Sequence, residues 1–244
     1  MSCVGIEKHK MSIIEGVTFT RRGLAAGARR TLPLAISVFS YGAVFGVLAR
    51  QAGLSMAETA LMSGLVFAGA SQFIALELWV APLPVFTLIL TTLVVNLRHL
   101  LMGAALRPWL SRVSTPKAYG SVFFMNDETW ALTVRELNAG GKDVAFMLGS
   151  GLTMFAAWVS SGVLGQFVGA NLQERDITQW GLDFIFTAVF VALLVSLWRG
   201  RGDILPWAVA AAVALATWWL LPGKWYILLG GLAGSLVGAL RDDD

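Results

Sequence analysis

"TTLVVNLRHLLMGAAL", residues 91–106, reads as the second half of a membrane span, yet it carries Asn96, Arg98 and His99. A charge at the centre of a span costs about 2.5–3.5 kcal/mol. Arg98 lies past the middle of its run, about two turns before Arg107, so snorkelling toward the headgroups relieves part of that cost. On that reading Arg98 marks the end of a span. On the other reading Arg98 or His99 faces a polar cavity inside a helix bundle. Asn96 and His99 stand three residues apart and share a face, whereas Arg98 points elsewhere. An imidazole there can bind or move a proton.

Outward from this stretch, the whole chain has the same character. Of its 244 residues 57% are apolar and only 14% charged, and its mean hydropathy is +0.70. Soluble domains carry about 25% charged residues, so the composition is that of a membrane protein. The apolar residues form long runs, at 31–49, 85–97, 144–170, 182–198, 204–221 and 225–240. A hydrocarbon core of roughly 30 Å needs about 20 such residues as a helix. The expected fold is therefore an all-α integral membrane protein, a polytopic helical bundle of about six to eight spans with one or two broken or re-entrant segments.

The net charge of +3 does not point to nucleic acid, because the basic residues gather at the ends of apolar runs and no soluble domain is left to bind with. A single cysteine, Cys3, allows no internal disulfide, and two distant histidines, His9 and His99, make no metal site. Residues 1–30 lack the pattern of a secretory signal. They are expected to be a cytoplasmic segment, either an interfacial helix or a tail with a short lead-in helix, before a single transmembrane domain over 31–241. The first span is expected at 32–50, with Arg29 and Arg30 before it, and both termini are expected in the cytoplasm.

Two topologies fit the charges. If 59–79 and 121–134 both cross, there are about eight spans, and Arg107, Arg112 and Lys117 lie outside. If both are re-entrant, there are about six, and those residues lie inside, as the positive-inside rule prefers. The pair also forms a weak candidate for an inverted repeat. Trp79, Trp109, Trp180, Trp198, Trp207 and Trp225 stand near run ends, where indole rings prefer the interface.

Three further stretches bear on chemistry. "GLVFAGASQF", residues 64–73, combines small residues with Ser71 and Gln72. Small residues let helices approach, but they also allow a break whose freed backbone ends hold an amino or carboxylate group. "MNDETW", residues 125–130, sets Asp127 and Glu128 after Asn126. In a loop helix Asn126 is an N-cap followed by first-turn acids; inside the membrane the acids are costly and point to function, pairing with Arg98 or exchanging a proton. Gly165 and Gly169, and Gly230, Gly234 and Gly238, recur every fourth residue and read as helix-contact faces, within the chain or with a partner. There is no Walker loop, nucleotide fingerprint, zinc-protease motif or nucleophile elbow, so no cofactor, metal or catalytic residue is expected.

The blocks "RRTLPLAISVFSYGAVFGVLARQAGLS", "LVFAGASQFIAL", "VVNLRHLLMGAAL" and "FFMNDETWAL" together resemble the AzlC-like family of branched-chain amino acid exporters. The resemblance implies a large membrane subunit in a bacterial inner or plasma membrane, working with a small, hydrophobic AzlD-like partner. It implies proton-coupled export of leucine, isoleucine, valine or methionine. The motif positions it carries over are Ser71, Gln72, Asn96, Arg98, His99, Asp127 and Glu128. Two other readings stay open: a membrane scaffold subunit that binds through its glycine faces, and an intramembrane enzyme using His99 with Asp127 as an acid–base pair.

Overall fold

The computed structural model of the chain describes residues 16–171, 200–221 and 225–240, with residues 191 and 195. The expected span at 182–198, Cys3 and His9 lie outside the described residues, apart from 191 and 195. Numbered over the described helices, α1 is Arg21–Gln51, α2 Met56–Val66, α3 Gly69–Glu77, α4 Val85–Leu110, α5 Thr115–Phe123, α6 Asp127–Asn138, α7 Ala145–Ala170, α8 Ile204–Leu220 and α9 Trp225–Ala239. Four helical segments, Arg21–Gln51, Val85–Leu110, Ala145–Ala170 and Arg201–Leu220, are long and apolar enough to cross a membrane. No β-strand occurs among the described residues. The chain divides into two compact units, Met1–Gln72 with Asn96–Asn171, and Phe73–Val95 with Leu172–Asp244.

The first unit is built on α1 and α7. Their N-termini lie side by side because Asp143 holds both: its carboxylate accepts from the Thr20 amide (3.1 Å) and hydroxyl and from the Ala145 amide (3.1 Å). Thr20 in turn caps α1 by accepting from the Gly23 amide. The helices therefore run parallel. They touch along glycines: a Cβ at Gly46 would lie 2.0 Å from the Gly162 carbonyl oxygen, and one at Gly165 would lie 1.9 Å from that of Ala43. Such backbone contact is how membrane helices gain van der Waals energy where burial from water supplies none. The helix begins at Arg21, so residues 21–30, expected as a separate lead-in before a span at 32–50, are the start of the same helix. Gly23 and Gly27, which face α7 at Asp143 and Phe146, explain the difference.

The other elements of this unit are two short broken hairpins and half of α4. α2 starts beside Gln166, whose amide donates to the Leu54 carbonyl at 2.6 Å. It descends along α7 until the Phe67 ring meets the Phe155 ring, centroids 5.2 Å apart. There the helix breaks, and the first turn of α3 doubles back alongside α2, bringing Gln72 to Ser63. From the opposite end, α5 rises from Thr115, and the chain turns at Phe124, whose carbonyl lies against Gly151. α6 then returns beside α4, with the Trp130 indole donating to the Met102 carbonyl at 3.1 Å. Leu106, Leu110, Leu137, Val144 and Met147 close a core at this end, packed by Val17 and Phe19.

The last turns of α4 thus lie at the N-terminal end of α1 and α7. Arg107, Arg112 and Lys117 share that end with Arg21 and Arg22, and the Lys117 ammonium sits 5.0 Å over the Phe19 ring. These are the directions of the re-entrant topology, not of the crossing one. A long helix followed by a broken hairpin occurs twice, in opposite directions. "RPWLSRVSTPKAYG" completes α4 and starts α5, with Pro116 in the first turn, where it costs no hydrogen bond.

The second unit contains the pair α8 and α9. Gly230 and Gly234 face Ala210, Ala214 and Pro206, with built Cβ atoms 2.7–2.9 Å from the nearest of these, whereas Gly238 stands 4.0 Å from Pro206. Glu77 accepts from the Tyr226 hydroxyl at 3.2 Å.

Candidate functional site

Both hairpin tips rest on α7 near Phe155, about 15 Å along the axis from Ala145 at 1.5 Å per residue. The tips differ in how their helix ends are satisfied. At the first, Phe67 adopts a left-handed conformation, φ 41° and ψ 43°. For a residue with a Cβ this conformation costs about 1–3 kcal/mol, and such strain gathers at functional sites. Ala68 then stands at the cap position of α3. Its carbonyl accepts from the Gln72 amide at 3.0 Å, but its methyl side chain cannot accept from the first-turn amides. The N–H groups of Gly69, Ala70 and Ser71 are left as orphan donors of a helix N-terminus. The Ser71 hydroxyl, only 2% exposed, has no hydrogen-bond partner.

Gln72 is fully buried and committed. It accepts from the Trp158 indole at 3.0 Å and donates to the Ser63 hydroxyl at 3.4 Å. It is a strut that fixes the first turn of α3 against α7. Gly69 allows the close fit, since a Cβ there would stand 3.1 Å from the Trp158 ring.

At the second tip, Asn126 caps α6. Its side chain accepts from the Thr129 amide at 2.9 Å, and the Thr129 hydroxyl accepts from the Asn126 amide at 2.9 Å. Asp127 and Glu128 follow in the first turn, where the helix dipole favours them. Asp127 pairs with Arg98 of α4 at 2.7 Å, and the two side chains keep 43% and 35% exposure. The pair is thus open on one side rather than packed in. Arg98 Nε and the Asn96 side-chain oxygen are buried and unpartnered. His99 and Asn96, expected to share a face, meet through the Asn96 backbone carbonyl, 3.3 Å from His99 Nδ1. An aromatic chain joins the tips: Phe67 to Phe155, then Phe155 to Phe124 at 5.1 Å.

All of these residues fall in one matched region. The AzlC protein family matches residues 33–172, more than half of the chain. The chain belongs to the AzlC family. Inner membrane protein YgaZ of Escherichia coli (strain K12) is 28% identical over 220 residues, covering 88% of this chain and 89% of that protein. An uncharacterized membrane protein of Archaeoglobus fulgidus is 32% identical over 208 residues, covering 85% and 90%. A branched-chain amino acid transport protein, AzlC of Bacillus subtilis (strain 168), is 24% identical over 218 residues, covering 87% and 84%. No solved structure matches. With its spanning helices, this AzlC-family chain is a membrane protein.

Sequence reasoning about this AzlC-family chain missed two residues of the first tip. Trp158 could have been noticed as a tryptophan in the middle of an apolar run rather than at its end. Phe67 carried no signal, because its left-handed backbone is set by the turn between two half-helices.

Proposed function

We propose that this chain is the large subunit of a secondary transporter that exports branched-chain amino acids, working with a small AzlD-like membrane partner and driven by the proton gradient. Membrane transport is the coarse reading that the AzlC family and the name of the Bacillus subtilis relative support; substrate, direction and partner are the finer proposal. The observation that carries it is the uncapped N-terminus of α3 with the unpartnered Ser71 hydroxyl. Broken helices in transporters present such half-helix N-termini to anionic groups of the substrate. Here the carboxylate of a zwitterionic amino acid accepts from the amides of residues 69–71 and from Ser71. The rings of Phe67 and Phe155 take the apolar side chain. They discriminate weakly among leucine, isoleucine, valine and methionine, since one methylene is worth about 1–3 kcal/mol.

Arg98 and Asp127 sit at the other tip and serve coupling. Breaking the Arg98–Asp127 pair during the cycle loosens one tie between α6 and α4, the Trp130–Met102 hydrogen bond being another. Asn96, His99 and Glu128 are the neighbouring polar groups on this route. The basic end, with Arg21, Arg107 and Arg112, faces the cytoplasm. In this reading α5–α6 closes the site from inside and α2–α3 closes it from outside.

The test is efflux from cells fed dipeptides of each branched-chain amino acid. Cells expressing this chain with the small partner are expected to release free leucine, isoleucine or valine faster than cells without it, and collapse of the proton gradient abolishes the difference. Equal release in all cells, with the protein present in the membrane, refutes the assignment.

A further inference from the structure

We propose that the cavity between the last turns of α4 and helix α5 is a binding site for the phosphate headgroup of an acidic membrane phospholipid. The cavity has a volume of about 440 Å³. Arg107, Ser111, Thr115 and Tyr119 are its polar lining residues, with the Ser111 hydroxyl donating to the Pro108 carbonyl at 3.4 Å, and Leu110 and Val122 are apolar ones. No carboxylate lines it. Among the described residues Arg107 forms no ion pair, since both salt bridges use other arginines.

Three features point to a phosphate that arrives on a lipid. The cavity lies at the basic end of the first unit, with Arg112 and Lys117 close in the chain, and clustered basic residues at a membrane surface attract acidic headgroups. α5 begins at its edge, and the N-cap Ser114 makes no side-chain hydrogen bond, so the amides of Thr115 and Lys117 lack a capping acceptor, Pro116 between them having no N–H. The apolar wall continues from the polar groups, as the glycerol and first methylenes of a lipid require. A guanidinium with adjacent hydroxyls fits a phosphate monoanion, whose two free oxygens meet its planar fork, and the lining offers no carboxylate to hold the ammonium of a zwitterion. This site is independent of the transport reading and stands or falls without it.

The test uses the purified full-length chain, delipidated in neutral detergent and offered phosphatidylglycerol, phosphatidylcholine or inorganic phosphate. Retained lipid is counted by native mass spectrometry, and thermal unfolding is followed by circular dichroism. Phosphatidylglycerol is expected to be retained and to raise Tm, and the other two are not. Arg107→Gln is expected to weaken retention about fivefold, the worth of one basic residue at a charged surface. Gly103→Leu provides a second test with every charge intact: a Cβ at Gly103 meets open space, so the larger side chain fills the cavity without strain and expels the lipid. Unchanged retention in both variants overturns the proposal. Equal retention of phosphatidylcholine, or equal stabilisation by inorganic phosphate, overturns the assignment to an acidic lipid.

Discussion

The two hairpin tips that meet on α7 are made from similar parts and finished differently. At the α5–α6 tip, Asn126 and Thr129 satisfy each other's amides, and Asp127 and Glu128 supply the negative charge that a helix N-terminus favours. At the α2–α3 tip, Ala68 offers no acceptor, the first turn of α3 contains no acid, and Ser71 is buried without a partner. One tip carries its own anions. The other keeps donors and a strained Phe67 without an internal anion to match them. Unsatisfied donors at depth call for an explanation, and the proposed function supplies one at this tip, a substrate anion. On the proposed function, the difference separates a coupling tip from a binding tip.

The largest expected effect comes from removing what both tips share. Gly165→Val pushes a side chain into the Ala43 backbone and forces α1 from α7, so a loss of about 3 kcal/mol or more is expected. It would appear as little extractable protein and a collapsed Tm. Gly120→Ala, which meets open space, is the control and is expected to keep Tm or raise it slightly, since Ala is the better helix former.

A smaller effect, confined to the capped tip, is expected from its ion pair. Arg98→Leu leaves Asp127 without its partner, whereas Arg98→Leu with Asp127→Leu removes both charges. An unpaired carboxylate at membrane depth costs more than none. The double variant is therefore expected to have a higher Tm than the single one, while leucine efflux is lost in both. If the single variant exports leucine normally, the coupling role is wrong. The smallest effect is uncapping the second tip. Asn126→Ala is expected to cost about 1 kcal/mol of stability, visible as a modest fall in Tm, with leucine affinity unchanged. A large loss of affinity would mean that the two tips are not distinct in role.

How much of this was legible in the sequence differs between the tips. Asn126 followed by two acids announces a cap, and the structure has one. The small residues of "AGASQF" announced a break, and it falls at Phe67–Ala68, at the start of that motif. The candidates Ser71, Arg98 and Asp127 were visible because polar residues at membrane depth are costly. The hairpin directions were not visible, since basic residues fit two topologies until Leu110 and Val144 were seen in one core. The parallel α1–α7 seam was also hidden, because Gly23, Gly27, Gly42 and Gly46 answer to a helix far along the chain. The demand on Trp158 to hold Gln72 arises only once the two helices are packed.

The measurement that bears most directly on the binding tip is thermal stabilisation of the purified protein by leucine and by leucinol, which lacks the carboxylate. It would be run on the wild type, Ser71→Ala and Ala68→Ser. Leucine is expected to raise Tm in the wild type, and leucinol is not. Ser71→Ala is expected to need roughly tenfold more leucine for the same rise, as befits one hydrogen bond to a charged group. Ala68→Ser, which supplies an internal cap of its own, is expected to keep or raise the ligand-free Tm while losing the leucine response. If leucinol stabilises the wild type as well as leucine does, or Ala68→Ser responds to leucine in full, the α3 N-terminus is not the carboxylate site.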